Sequence, residues 1–456
     1  MPRPADLVHG VIKAYDVRGV VGEQIDEAFV SDVGAAFARL MRDEGVSGRV
    51  VVGYDMRDSS PSLSSAFAEG VTKQGLDVVL IGLASTDQLY FASGTLDCPG
   101  AMFTASHNPA KYNGIKLCRA GAKPVGQDSG LTIIADGVID GVPSYDGQHG
   151  TISEQDVLSE YAAYLLDLVD ISGIRPLSVA VDAGNGMGGH TVPAVLGPTP
   201  VTVHPLYFEL DGTFPNHEAN PLEPANLVDL QRFVRETGAD IGLAFDGDAD
   251  RCFVVDERGE PVSPSAITAL VAERELANFP QSTIIHNLIT SRSVPELVES
   301  LGGTAVRTRV GHSFIKALMA ETGAVFGGEH SAHYYFRGFW GADSGMLAAL
   351  HVLAALGTQD KPLSDLMRRY EVYAASGEIN STVADAAERT SAVVDAFADR
   401  TVSIDHLDGV TVDLGNSAWF NLRASNTEPL LRLNVEAPMD QDVDRLSTEI
   451  LSIVRA

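Results

Sequence analysis

Short apolar runs and stretches of helical periodicity alternate along most of the chain, the rhythm of strands and crossover helices in α/β domains. The pattern predicts strands over 49–53, 76–82, 100–103 and 114–117, with a helix over 61–74 between the first two. An acidic, turn-rich stretch over 136–150 interrupts it. Beyond that stretch it predicts a helix over 153–168 and strands over 177–181, 241–245 and 252–255, ending in a tight turn over 256–260. The next segment reads as helix 267–278, strand 283–286, helices 294–301 and 313–322, and strand 324–326. From about Tyr370 the period changes to antiparallel alternation, with strands over 410–414, 419–423 and 431–435 and a closing helix over 440–454. The expected fold class is α/β: three similar α/β domains with mixed sheets (1–150, 151–257, 258–369), then a C-terminal α+β domain (370–456). In each of the first three an apolar strand runs into a polar loop, at 101–108, 243–251 and 325–333, a weak internal repeat.

The length agrees with this division, since 456 residues at ~150 per domain make three or four cores. Hydrophobic residues at 45% and charged residues at 20% describe an ordinary globular protein, and no window approaches the roughly 18 continuous apolar residues of a membrane span. The first residues, Met1 to Asp6, lack an apolar signal core. Cys98, Cys118 and Cys252 are odd in number and show no CxxC spacing, so neither a disulfide framework nor a cysteine metal site is expected, and a cytoplasmic setting is. A net charge of -29 excludes nucleic acid and anionic membrane surfaces as partners. Against that field a phosphorylated small substrate needs local cations, which gives weight to the few Arg and Lys within motifs.

Two loops carry most of the chemistry. Asp246, Asp248 and Asp250 alternate in Asp246-Gly247-Asp248-Ala249-Asp250-Arg251, after an apolar strand, so their carboxylates can converge on one hard cation through oxygen alone, favouring Mg²⁺ over zinc or copper. An EF-hand reading fails, because Arg251 stands where the turn glycine belongs and strands flank the loop. Ser106, in Thr104-Ala105-Ser106-His107-Asn108-Pro109, follows another buried strand; a serine already phosphorylated needs only a metal and cations around it. There is no GxSxG elbow, and acyl transfer is unsupported. Arg423, Ser425, Asn426 and Thr427 form an inventory for holding a phosphate that does not react. Glu329 and Ser331 suit sugar hydroxyls, with His330 or His333 nearby for proton traffic. Tyr15, Arg18, Lys116 and His312 are further polar candidates.

Together these residues resemble the α-D-phosphohexomutase superfamily, close to its bacterial phosphomannomutase/phosphoglucomutase branch, with signatures in order at 15–19, 104–109, 246–251, 329–333 and 423–429. The resemblance implies four domains around a central active-site cleft, phosphoserine at Ser106, and Mg²⁺ on Asp246, Asp248 and Asp250 beside Ser106. It implies sugar contacts from Glu329 and Ser331 and phosphate contacts from Arg423, Ser425, Asn426 and Thr427. Arg18, His107, Lys116, Arg251, His312 and His333 match further active-site positions, with Tyr15 in the first signature. Two positions depart from the branch: Ile289 falls where a lysine proposed for proton transfer is often found, which passes that role to Arg18, His333 or another group, and Ala332 replaces a usual glycine. The implied reaction interconverts hexose 1-phosphate and hexose 6-phosphate, of mannose first and glucose also, with hexose 1,6-bisphosphate as intermediate and activator. Recognition through the 3- and 4-hydroxyls leaves C2 largely unread. Asn426 and His330 resemble this branch more than phosphoglucosamine mutase. Phosphoglucosamine mutase is the first alternative, followed by a sugar phosphatase that works through a phosphoserine and a non-catalytic sugar-phosphate sensor, and the expected assembly is a monomer or weak homodimer.

Overall fold

The computed structural model describes residues 3–424 and 430–456 and divides into two bodies, one through residue 262 together with 331–364, the other 263–330 with 365–456. In the first body Val17–Val20, Tyr112–Arg119, Gly100–Phe103, Arg49–Tyr54, Asp77–Leu83 and Ile152–Glu154 lie side by side in that order, with Lys123–Pro124 on Tyr112–Arg119. The strands Gly100–Phe103, Arg49–Tyr54 and Asp77–Leu83 are parallel, and Tyr112–Arg119 runs antiparallel beside them. Parallel strands are covered on both faces, and so Arg49–Tyr54 and Gly100–Phe103 are apolar runs, not alternating ones. A second mixed sheet follows, in the order Pro261–Val262, Cys252–Asp256, Ile241–Phe245, Leu177–Asp182, Val201–Leu206. Residues 331–364 add the hairpin Tyr334–Phe336 and Ala342–Asp343 and the buried helix Gly345–Gly357.

The first sheet is closed by the helices Glu27–Asp43 and Ser60–Lys73, which cross at two glycines. A Cβ on Gly34 would stand 2.4 Å from the Phe67 carbonyl oxygen, and one on Gly70 only 2.1 Å from that of Ser31. At that crossing Phe67 meets Phe37 and, edge on, Phe103, with centroids 6.0 and 5.5 Å away. Phe67→Ala is expected to lower stability by about 3–5 kcal/mol, read as a shift of the urea midpoint at constant slope.

In the second body Thr304–Thr308, Thr283–Asn287 and Phe326–Gly328 are parallel and packed by the helices Pro264–Asn278, Ser293–Ser300 and His312–Thr322. Its C-terminal part is an antiparallel sheet, Ala374–Thr382, Leu430–Ala437, Ala418–Ala424, Val410–Gly415, Ser403–Asp405, backed by Ala386–Phe397 and Asp440–Val454.

Local pattern misplaces three elements. The helix expected from residue 153 begins at Leu158, because Ile152–Glu154 is taken up as an edge strand beside Asp77–Leu83. The strand expected over 324–326 is Phe326–Gly328, since its glycines pack where side chains do not fit: a Cβ on Gly327 would meet Ile315 at 2.9 Å, one on Gly328 Thr268 at 2.5 Å. The stretch read as turn-rich from residue 136 opens with the end of a helix, Leu131–Asp140, whose Ile134, Ala135 and Val138 are buried.

Candidate active site

Both chemical loops leave buried strands of the first body at their carboxyl ends, where open α/β sheets collect ligands. After Gly100–Phe103 the chain turns at Ser106, whose φ of +50° lies in the left-handed region, at a cost of roughly 1 kcal/mol for a non-glycine residue. The Ser106 amide donates to Thr104 Oγ1 at 2.8 Å. After Ile241–Phe245 a second left-handed residue, Ala249 (φ +59°), bends the chain so that Asp246, Asp248 and Asp250 converge. The loops meet at Gly247, where a Cβ would lie 2.4 Å from the Ser106 carbonyl oxygen and only glycine fits.

Ser106 Oγ donates to Asp246 Oδ2 at 2.9 Å, joining residues 140 positions apart. Arg251 Nε donates to the same Asp246 oxygen at 2.9 Å, and Lys116 Nζ to Asp248 Oδ2 at 2.7 Å and Asp250 Oδ2 at 2.6 Å. His107 Nδ1 is 3.2 Å from Ser106 Oγ but already accepts from Arg251 Nη2 at 2.6 Å, which leaves it no lone pair for the serine proton. Burial, reinforced by Arg251 and Arg18, pulls the His107 pKa down to about 2, so the ring is neutral. Burial pushes the Asp246 carboxyl up despite Arg251, whereas at Asp248 Lys116 and Thr86 outweigh burial and hold the pKa far below the usual range.

The three carboxylates are at most 1% exposed, and one oxygen from each lies within 4.8 Å of the others. Asp248 Oδ1 and Asp250 Oδ1 are buried with no hydrogen-bond partner among the described residues. Uncompensated buried lone pairs of this kind are costly and suit an oxygen-seeking cation, so these residues can hold a metal ion.

His333 joins the same cluster, its Nε2 3.7 Å from Asp250 Oδ1 and its Nδ1 3.1 Å from Ser331 Oγ, with Asp343 close by. Ala332 between them has φ +64°, the conformation for which glycine is the usual choice. Arg18 donates to Asn108 Oδ1 and to Asp16. Tyr15, 37% exposed, stands just before the strand Val17–Val20. The other expected residues belong to the second body: buried Glu329 accepts from Asn287 Nδ2 (3.3 Å) and the Gly311 amide (3.1 Å), and Arg423 donates to Glu378 Oε2 (3.4 Å). His312 opens the helix His312–Thr322, and Ser425, Asn426 and Thr427 lie outside the described residues.

Three polar residues of the site were not read from the pattern. Arg57 follows the strand Arg49–Tyr54 and points back under the serine loop. Thr86 follows Asp77–Leu83 and donates to Asp248 Oδ2 at 2.5 Å, while its amide donates to the Asp248 carbonyl at 3.0 Å. Buried Asp87 accepts from Ser85, from Tyr161 Oη at 2.7 Å and from Ser344 Oγ at 2.6 Å, tying the start of the helix Thr86–Thr95 to two distant segments. All three obey the strand-end rule that singled out Ser106. Thr86→Val, which keeps the shape and removes the donor, is expected to weaken divalent-ion affinity about 10-fold, read from a metal titration of activity.

A serine hydroxyl bonded to one of three converging carboxylates, with buried Arg251 and half-buried Lys116 beside them, has the makings of phosphoryl transfer. Comparison with known proteins supplies the family: residues 10–137, 159–259 and 263–373 match the phosphoglucomutase/phosphomannomutase alpha/beta/alpha domains I, II and III, and 378–453 the C-terminal domain. The chain belongs to this family, phosphotransferase isomerases of the α-D-phosphohexomutase superfamily, and its mixed α/β sheets across four domains follow the same architecture. It is 39% identical to a phosphohexose mutase of Xanthomonas campestris over 448 residues, 96% of this chain and 98% of that one. It is also 39% identical to an Escherichia coli phosphomannomutase over 455 residues, 97% and 98% of the two chains. A crystal structure of a phosphoglucomutase/phosphomannomutase family protein from Burkholderia thailandensis superposes with a TM-score of 0.89 at 30% identity, covering 100% of this chain and 98% of that one. No helix among the described residues is long and apolar enough to cross a membrane.

Proposed function

We propose that this chain interconverts hexose 1-phosphate and hexose 6-phosphate, of mannose first and of glucose also, through phosphoserine 106 and a hexose 1,6-bisphosphate that also primes the enzyme. The observation that carries the reading is the 2.9 Å bond between Ser106 Oγ and Asp246, which brings the phosphoryl acceptor and the carboxylate trio to one point. Asp246, Asp248 and Asp250, with the Ser106 oxygen, would hold Mg²⁺, which would draw charge from the phosphoryl oxygens.

The chain's own residues do the rest. Arg251 and Lys116, held by the same carboxylates, present positive charge to the transferring group. Arg18, whose Nε is buried without a partner among the described residues, adds a donor to it. The bond from phosphorus to Ser106 Oγ breaks as one to the free sugar hydroxyl forms. The hydroxyl proton passes to His333 Nε2 when Ser331 Oγ accepts from Nδ1–H, and the imidazolium then faces Asp250. The bisphosphate turns around and returns its other phosphoryl group to Ser106. Turning exchanges the 3- and 4-hydroxyls, so Glu329 and Ser331 serve both orientations, while Tyr15, His312, Arg423, Ser425, Asn426 and Thr427 hold substrate and the idle phosphate. Neither contact set reads C2, which admits both epimers.

The test compares specific rates on mannose 1-phosphate, glucose 1-phosphate and glucosamine 1-phosphate, primed with catalytic hexose bisphosphate. Isomerised hexose phosphate without inorganic phosphate is expected, with the glucosamine substrate slowest. Stoichiometric phosphate release would make the protein a phosphatase, and a faster glucosamine reaction would reassign the substrate.

A further inference from the structure

Arg57 is the largest fully buried side chain among the described residues, at 2% exposure, and no step above uses it. All five of its guanidinium donors are directed inward. Nη2 donates to the carbonyl oxygens of Ser106 at 2.8 Å and Asn108 at 2.7 Å. Nη1 donates to those of Pro109 at 3.1 Å and Tyr112 at 3.0 Å. Nε donates to Asp55 Oδ2 at 3.2 Å, and Asp55 accepts in turn from Ser60 Oγ and the Arg57 amide. The ring of Phe214 covers the guanidinium at 5.1 Å, and Gly212 lies so close that a Cβ there would stand 2.6 Å from Arg57 Cα.

A buried guanidinium is costly to place, and its usual partners are carboxylates or phosphates. Here one fork spans four backbone carbonyls of a single loop, which a lysine's point charge cannot do. The loop it grips carries the left-handed Ser106. Drawing the Ser106 carbonyl down onto Nη2 sets the peptide so that Oγ rises toward Asp246. The Gly247 backbone then closes over that same carbonyl. Without the fork, four carbonyls lose their donor and the strained φ loses what opposes its relaxation.

We propose that Arg57 is a positioning residue of phosphoryl transfer: its fork fixes the backbone of residues 106–112 and thereby aims Ser106 Oγ at the metal-side carboxylates. This rests on Ser106 being the phosphoryl carrier. It adds an element that the serine loop's own sequence does not contain.

Two variants test it, Arg57→Lys and the double variant Asp55→Asn/Arg57→Met, which removes both buried charges at once. Phe67→Leu, in the core behind the same sheet and touching no group of the site, serves as a control for destabilisation. The double variant is expected to lower kcat at least 100-fold with KM for the hexose phosphate within threefold, and to slow phosphorylation of Ser106 by hexose 1,6-bisphosphate by the same factor, followed by intact mass. Arg57→Lys should recover no more than a tenth of the lost rate, while Phe67→Leu keeps kcat within threefold even where its Tm falls as far. A folded Arg57 variant with kcat within threefold of wild type overturns the proposal. Failure of the wild-type protein to take phosphate on Ser106 instead overturns the phosphoserine reading. Should neither variant fold, the wild-type protein with 15N-labelled arginine decides. Four carbonyl bonds must slow guanidinium rotation enough to separate the two Arg57 Nη signals, and one averaged signal overturns the clamp.

Discussion

Ser106→Ala is expected to lower kcat by roughly 10⁴-fold or more while leaving hexose-phosphate affinity within about threefold. The asymmetry follows from what the hydroxyl touches. Its removal takes one donor from Asp246, which keeps both bonds from Arg251, and leaves Lys116 on Asp248 and Asp250 undisturbed. The substrate therefore meets nearly the same charges in the variant. The reaction loses its covalent carrier, and the neighbouring hydroxyl of Thr104 is buried and occupied by the Ser106 amide. A barrier increase of about 5.5 kcal/mol corresponds to the lost four decades. Calorimetric titration with hexose phosphate, beside a coupled isomerase assay, separates binding from turnover. Turnover within tenfold of wild type would mean that Ser106 is not the carrier.

Removal of the divalent ion should be nearly as damaging. Ionised, Asp246, Asp248 and Asp250 set three negative charges against two positive ones on half-buried Lys116 and buried Arg251. A phosphoryl dianion approaching that cluster is repelled until a dication reverses the balance. Exhaustive dialysis against EDTA is expected to reduce turnover about 10³-fold, as the loss of several kcal/mol of charge stabilisation implies, and added Mg²⁺ should restore it. The same ion should stabilise the fold by about 2.7 kcal/mol at 100 times its dissociation constant, because the unfolded chain does not assemble the three carboxylates. Calorimetric melting with and without Mg²⁺ measures that increment. Metal-free protein that keeps more than a tenth of its turnover would show that the carboxylates serve only to hold Lys116 and Arg251.

Much of this site is legible in the chain. Gly100–Phe103 and Ile241–Phe245 are buried along their whole length, so the residues that follow them stand out as polar breaks, and Ser106 and the aspartate loop come directly after. The same rule reaches Arg57 and Thr86 after Arg49–Tyr54 and Asp77–Leu83, yet a single arginine or threonine carries no motif, and their partners are the Ser106 loop and Asp248. Element starts failed where packing overrides periodicity. Ser153 and Glu154 read as the beginning of a helix and become part of the strand Ile152–Glu154 because the open edge of Asp77–Leu83 is beside them. Ala332 is the reverse case, a substitution visible in the sequence whose cost emerges only with its φ of +64°.

Burial on one or both faces writes itself locally as period, and so the alternation of strands and helices, the change of period near Tyr370 and the residue types at each strand end can be read from the chain. Which of those ends meet is fixed by packing across the fold. Ser106 reaches Asp246 across 140 residues and Lys116 reaches Asp248 across 132, and neither local pattern encodes the other's position. Their meeting depends on how whole sheets pack, through glycines such as Gly247 that admit one backbone against another.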